Sequence, residues 1–272
     1  MLRRLRTAAF GTPAPLKTGT KVFASHAEAL ALCGGYEESD LLDVIAAKTQ
    51  IFRDRAEQHA AVVSESDLHS LLALTTSAMA TEATSVRVLD FGGACGAHYY
   101  NLRRLMPRHE LRWAIVETPG MAERANGLAA GNSWPSAFSS VADATRALGG
   151  SVDLVHASGA LQCTPDPQAA LATLLEVRAP VLLLTRGAVT RGDRDVVAIL
   201  ESSLAANGPG PLPPHFQDRP LSFPFVFVSR ERLLARLHAA YRRIVLLPDH
   251  TGHFPIDQEP VEGFAALCTE PC

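Results

Sequence analysis

The stretch Val86-Arg-Val-Leu-Asp-Phe-Gly-Gly-Ala-Cys-Gly96 decides how this chain is read, together with His98-Tyr99-Tyr100 and, further on, Trp113-Ala-Ile-Val-Glu117. An apolar run ending in an acid, a glycine-rich turn, a helical segment and a second apolar run ending in an acid make the first half of a Rossmann-type nucleotide-binding unit. A glycine at 92 lets the backbone leave the strand sharply, while Gly93 and Gly96 keep side chains away from anything lying on the turn.

Working outward, strand and helix signals alternate from residue 86, which predicts βαβ units and a parallel sheet. Strands are expected at 86–90, 111–117, 136–139, 152–157 and 181–185, with helices at 99–106, 120–130, 141–148 and 167–177. Asp166-Pro167 is a helix start, an acid that caps followed by a proline with its φ preset. The Pro- and Gly-rich segment 187–224 reads as a long connection above the sheet. Ser229 then caps a helix reaching Ala240, and strands at 243–247 and 263–269 return as an antiparallel pair to complete seven strands. Residues 25–80 carry helical spacing without a strand signal, including an apolar set from Leu68 to Leu74, with Ser64 or Ser66 as a cap. The expected organisation is an N-terminal helical segment, 1–80, that either caps the substrate side or packs on the core, followed by a Rossmann-like domain, 81–272.

Composition narrows the function. Of 272 residues 47% are hydrophobic, ample for a buried core, and the net charge of -3 argues against a nucleic-acid footprint. Five scattered cysteines without a CxxC pair indicate neither a disulfide framework nor a zinc knuckle, so a reducing, cytoplasmic setting is expected. Residues 1–10 are basic, but Gly11-Thr-Pro-Ala-Pro15 interrupts them before any signal-peptide core, and no run approaches the roughly 20 apolar residues that span a bilayer. The expected partner is a small molecule; a homodimer is compatible with the chain.

The order of acid and glycines discriminates between cofactors. Dinucleotide folds that transfer hydride use an acid after the glycines for a ribose and need none before them. Asp90 precedes them. S-adenosylmethionine (SAM) brings an α-amino group and a sulfonium, cations that a carboxylate beside the turn would meet. Asp90, Gly92, Gly93, Gly96 and Glu117 are therefore assigned to SAM, with Glu117 accepting the ribose hydroxyls. Ala94 departs from glycine, a tolerable change if its φ stays negative.

The strand at 152–157 leads into Ser158 and Gln162, placed beside the methionine portion of the cofactor, and His156 and His98 are the candidate catalytic residues. Tyr99 and Tyr100 open a helix, so one should face the pocket and the other should pack. Arg186, Arg191 and Arg194 follow a strand end; Arg186 is the candidate contact to an anionic acceptor, against a solvated basic face. His250-Thr-Gly-His253 lacks a third ligand, so no metal is expected.

The chain resembles class I SAM-dependent methyltransferases encoded beside polysaccharide or natural-product biosynthesis genes. The resemblance is carried by Gly35-Tyr36-Glu-Glu-Ser39, Leu89-Asp-Phe-Gly-Gly93, His98-Tyr-Tyr100, Val116-Glu117, Ser158, Leu161-Gln162, Pro165-Asp-Pro167 and residues 225–229. It implies a Rossmann-like class I methyltransferase fold and methyl transfer to a sugar or secondary metabolite, with O-methylation expected before N-methylation. The competing readings are an NAD(P)-dependent oxidoreductase, which Gly92-Gly-Ala-Cys-Gly-Ala97 fits poorly, and a non-catalytic Rossmann-like binding protein.

Overall fold

The computed structural model describes residues 17–56, 63–81, 84–129, 131, 133–250 and 261–272. The basic segment 1–10 and His253 lie outside them.

Five short apolar strands build the parallel core: β2 (Ser85–Phe91), β3 (Glu110–Val116), β4 (Ser136–Phe138), β5 (Leu154–Ser158) and β6 (Val181–Thr190). They lie side by side as β4-β3-β2-β5-β6. Beyond β6, β10 (Val261–Pro271) runs antiparallel to both β6 and β9 (Tyr241–Leu247), so β9 points the same way as the core strands. These seven strands are the expected Rossmann-like, mostly parallel sheet. Because the chain moves one way from β2 to β3 and β4, and the other way to β5 and β6, the C-terminal ends of β2 and β5 bound a topological switch point. Open α/β sheets bind ligands in the crevice at such a point.

Helices cover both faces. Helix α4 (Ala97–Leu102) follows the glycine turn, and α5 (Pro119–Leu128) starts with its proline at the first turn, as Pro167 does in α7 (Pro167–Glu176). Asp166 caps α7 by accepting from the backbone N–H groups of Gln168 and Ala169 at 3.0 and 2.9 Å. The remaining helices are α1 (His26–Leu30), α2 (Ser39–Ala56), α3 (Glu65–Thr81), α6 (Val141–Ala147) and α8 (Arg230–Ala240), the last capped by Ser229 as expected. Ser64 and Asp67 reciprocally cap α3, the Ser64 Oγ accepting from the Asp67 N–H and the Asp67 carboxylate from the Ser64 N–H.

The segment 187–224 is not a plain connection. β6 continues to Thr190, β7 spans Val196–Ser203 and β8 spans Pro220–Ser229; β7 pairs antiparallel with β8 and with β1 (Lys17–Phe23), so the whole sheet has ten strands. Pro224 is tolerated because β6 joins β8 only at Val228 and Ser229, leaving β8 an edge strand at the proline. Apart from the turn at 191–195, only 204–219 runs without strand. Buried Lys48 on α2 ties it down, donating to the carbonyls of Ala205 and Asn207 at 2.8 and 2.5 Å.

Helix α3 also departs from expectation. Leu68 and Leu72 are 57% and 43% exposed, while Asp67, His69, Ser70 and Ser77 are buried with Ala73 and Leu74. This helix turns a largely polar face to the sheet because that sheet presents polar groups to it.

Candidate functional site

Those polar groups form the floor of the crevice. Asp90, at the end of β2, is 0% exposed: one carboxylate oxygen accepts from the indole N–H of Trp113 at 2.8 Å and the other lies 2.7 Å from Nδ1 of His156. His156, also 0% exposed, places Nε2 2.9 Å from the Ser70 hydroxyl, which donates to the Ser66 carbonyl on α3. His98 stands edge-on to His156 with 5.1 Å between ring centroids and contacts Asp67 at 3.3 Å. His69 Nδ1 meets the Thr185 hydroxyl at 2.8 Å. Burial opposes ionisation of Asp90, yet the charges of His156 and His98 and the bonds from His156 and Trp113 outweigh it and hold its carboxyl below the usual range. Burial likewise opposes ionisation of Asp67, but bonds from His98 and Ser64 pull its carboxyl down to about 2.

This network corrects two expectations. Both Asp90 oxygens are committed inside the protein, so the carboxylate supports the turn from beneath instead of meeting a ligand cation. A Cβ at Gly93 would collide with that carboxylate, which is why the position is glycine. His156, fully enclosed by α3 and the sheet, has no face for a substrate; it positions Asp90.

Above the floor runs the turn. Gly92, Ala94 and Gly96 have φ of 69°, 48° and 84°, so the left-handed conformation recurs at every second residue. The condition of a negative φ at Ala94 is therefore not met. Its left-handed backbone turns the amide toward β3, where the Ala94 N–H donates to the Glu117 carboxylate at 2.9 Å. The second Glu117 oxygen accepts from the Thr118 N–H at 3.1 Å. Burial pushes the Glu117 carboxyl up, against those two bonds and with nearby Asp90 adding to the rise. Adjacent strand ends thus carry carboxyls shifted in opposite directions.

Tyr99 and Tyr100, 8% and 4% exposed, both pack into the core, correcting the expectation that one faces the pocket. Tyr99 lies edge-on to Trp113 at 6.0 Å, and the Tyr99 and Tyr100 rings both lie near the Arg103 guanidinium. Two neighbouring positions on one turn of a short helix fit into the same layer because α2 and α3 roof it.

The other wall comes from β5, β6 and the N-terminal region. Ser158 ends β5 with its hydroxyl oxygen buried and, among the described residues, without a hydrogen-bond partner. Gly92 must lack a side chain because Ala160 occupies the place of its Cβ. Gln162 is turned inward and donates to the Arg186 carbonyl at 2.8 Å, which makes it a support for Arg186. Sequence reasoning quoted Tyr36 without a role and omitted Cys163 and Phe223. The Cys163 thiol donates to the Tyr36 hydroxyl oxygen at 3.2 Å, and the Tyr36 ring packs on Phe223 at 4.0 Å. Burial and the Cys163 contact push Tyr36 well up, and burial pushes the Cys163 thiol up to about 11, with Arg186 pulling both down and Glu117 pushing both up. Glu117, Tyr36, Cys163 and Arg186 thus share one electrostatic neighbourhood. The only cue in the sequence was the Gly35-Tyr36 pair far from the core motif.

Arg191 and Arg194 do not act with Arg186: Arg191 pairs with Glu262 at 2.8 Å, and the Arg194 carbonyl accepts from Thr190. His250 pairs with Glu65 at 2.8 Å, and among the described residues no group of three or more His, Cys, Asp or Glu side chains converges on a metal position. No described helix is long and apolar enough to cross a membrane.

No protein-family model and no curated protein matches the chain. Among solved structures it is similar to the N-terminal domain of EvdMO1 with SAH bound, at 18% identity over 80% of this chain and 94% of that one, with a TM-score of 0.43. It is also similar to an S-adenosylmethionine-dependent methyltransferase from Clostridium acetobutylicum, at 10% identity over 77% and 93% with a TM-score of 0.41. A third is the sugar N-methyltransferase KedS8 from Streptoalloteichus, at 15% identity over 78% and 94% with a TM-score of 0.40. The functional reading therefore rests on the chain's own residues.

Proposed function

We propose that this protein is a SAM-dependent methyltransferase that methylates a small molecule, with an oxygen as the receiving atom. The observation that carries the reading is Glu117. It is an acceptor-only carboxylate at the end of β3, half-buried at the crevice, with two backbone N–H donors and one acceptor site left on each oxygen. That set matches the two hydroxyl donors of a ribose. Ser158, whose buried hydroxyl oxygen lacks a partner among the described residues, supplies a further polar group across the crevice at the end of β5.

When bound, SAM supplies a methyl group on a positively charged sulfur, already activated toward displacement. Glu117 would hold the ribose, and the turn from Gly92 to Gly96 would let the backbone approach the rest of the cofactor. Gly92 and Ala160 in contact close the gap between the turn and the β5 exit. Alignment and exclusion of water then account for most of the catalysis required, since orientation alone lowers such barriers by about 7–11 kcal/mol. His98 and His156 serve the floor, Asp90 orders the turn, and Tyr36, Cys163 and Arg186 face the acceptor.

Calorimetric titration with S-adenosylhomocysteine (SAH), the demethylated product, and with NADH separates this reading from an oxidoreductase. SAH binding that weakens in Glu117→Gln is expected; binding of NADH alone, or of neither, would refute the proposal.

A further inference from the structure

Arg186 has an exposed side chain at the rim of the crevice and an unusual backbone. It is a non-glycine residue with φ 53°, in the middle of β6 where the strand leaves its pairing with β5. Its backbone is held from both sides, the N–H donating to Asp249 Oδ2 at 2.8 Å and the carbonyl accepting from Gln162 at 2.8 Å. Left-handed backbone in a side-chain-bearing residue persists only where the surroundings over-determine it, and it marks places where a side chain is being aimed. The aim is toward the β5 exit. The guanidinium carbon lies 3.6 Å from where a Cβ on Gly159 would sit, so the side chain runs along the Gly159 backbone.

Among the described residues the guanidinium has no carboxylate partner, in contrast to Arg191, Arg219 and Arg230, which are all paired. The Cys163 sulfur, 3.5 Å from the Gly159 carbonyl and 3.2 Å from the Tyr36 hydroxyl, brings Tyr36 to the same backbone, and the phenolic O–H can rotate to donate outward. An unpaired guanidinium and a free hydroxyl donor at one place recognise an anion, since guanidinium is the side chain best matched to carboxylate and phosphate oxygens.

We propose that the acceptor molecule carries an anionic group, a carboxylate or a phosphate, which Arg186 and the Tyr36 hydroxyl bind beside the reacting position. The inference rests on the methyltransferase reading for the word acceptor, whereas the anion site itself does not depend on it.

The test is calorimetry at low ionic strength on the full chain saturated with SAH, titrated in turn with glucuronate, glucose 1-phosphate, inorganic phosphate and neutral glucose. At least one of the three anions should bind at least tenfold more tightly than glucose. Arg186→Gln should abolish that preference, and Tyr36→Phe should weaken it several-fold. Arg186→Gly relieves the backbone while removing the guanidinium; it should melt no lower than wild type and still lose the anion, so loss of binding cannot be ascribed to misfolding. Equal binding of anions and glucose, no anion binding, or an anion response unchanged in Arg186→Gln would overturn the proposal. SAH affinity falling in Arg186→Gln would also overturn it, by giving Arg186 to the cofactor's own carboxylate. Failure of the methyltransferase reading looks different: SAH does not bind, while Arg186-dependent anion binding is still measurable without it.

Discussion

Two carboxylates end adjacent parallel strands and live in opposite worlds. Asp90, in the floor beneath the turn, is enclosed, doubly bonded to Trp113 and His156, and held below the usual carboxylate range. Glu117, on the rim, has only two backbone N–H groups and is pushed up by burial. The same residue chemistry one strand apart therefore serves structure in one case and, in the proposed reading, is left for a ligand in the other. Each has two donors; what distinguishes them is that Asp90 is fully enclosed between an indole and an imidazole, whereas Glu117 is partly open and held by two backbone amides.

The largest effect should come from breaking the floor. Asp90→Ala leaves His156 and Trp113 without their partner in an enclosed site, and removing one member of such a buried pair costs about 3–5 kcal/mol. Urea unfolding measures this; an Asp90→Ala protein of unchanged stability that merely lost SAH affinity would erase the contrast between floor and rim. Next, Glu117→Gln should weaken SAH binding about 10–100-fold, the worth of charge-assisted hydrogen bonds of roughly 1.5–3 kcal/mol, with no fall in unfolding midpoint. Calorimetry on the same samples checks both halves of that statement.

Acid titration sharpens the comparison, because the signs differ. Asp90 and Asp67 ionise more easily folded than unfolded, so their stabilisation is complete above the unfolded carboxylate value near 4 and is lost as pH falls, for Asp67 through about 2. Glu117, raised by burial, does the reverse: its ionised form costs stability at neutral pH, and that cost is relieved as pH falls through its folded value. Asp67→Asn should therefore remove about 2 kcal/mol of the stability difference between neutral and strongly acid solution. Glu117→Gln should leave that acid-side loss and raise stability at pH 7. The smallest effect belongs to Ala94→Gly, which releases a left-handed alanine at φ 48° and should gain up to about 1 kcal/mol or be neutral, measured by thermal unfolding.

Legibility in the sequence followed the same division. Strands β2, β3, β5 and β6 were readable because each is a largely buried, mostly apolar run punctuated by glycine, proline or a cap; three-residue β4 gave a weaker signal. Strands β7 and β8 were hidden by Pro220, Pro224 and the run from Asn207 to Pro214, whose composition speaks of loops. Proline at an edge position does not break a strand, but nothing local says which position will be an edge. Helix α3 misled for a related reason: its leucines suggested the buried face, and the sheet beneath it offers Thr185 and His156 to its polar side instead.

By itself the sequence determined the parallel core, the glycine turn and the identity of the two acids, because these depend on strand periodicity and on backbone freedom within a few residues. Only the tertiary structure decided which acid is committed and which is available, that His156 is a support, that both tyrosines pack, and that Tyr36, Cys163 and Arg186 meet. Those outcomes depend on burial and on partners more than 60 residues away for His156 and more than 120 for Tyr36. A carboxylate carries no local mark of which donors the folded chain will bring to it, or of how completely it will be enclosed.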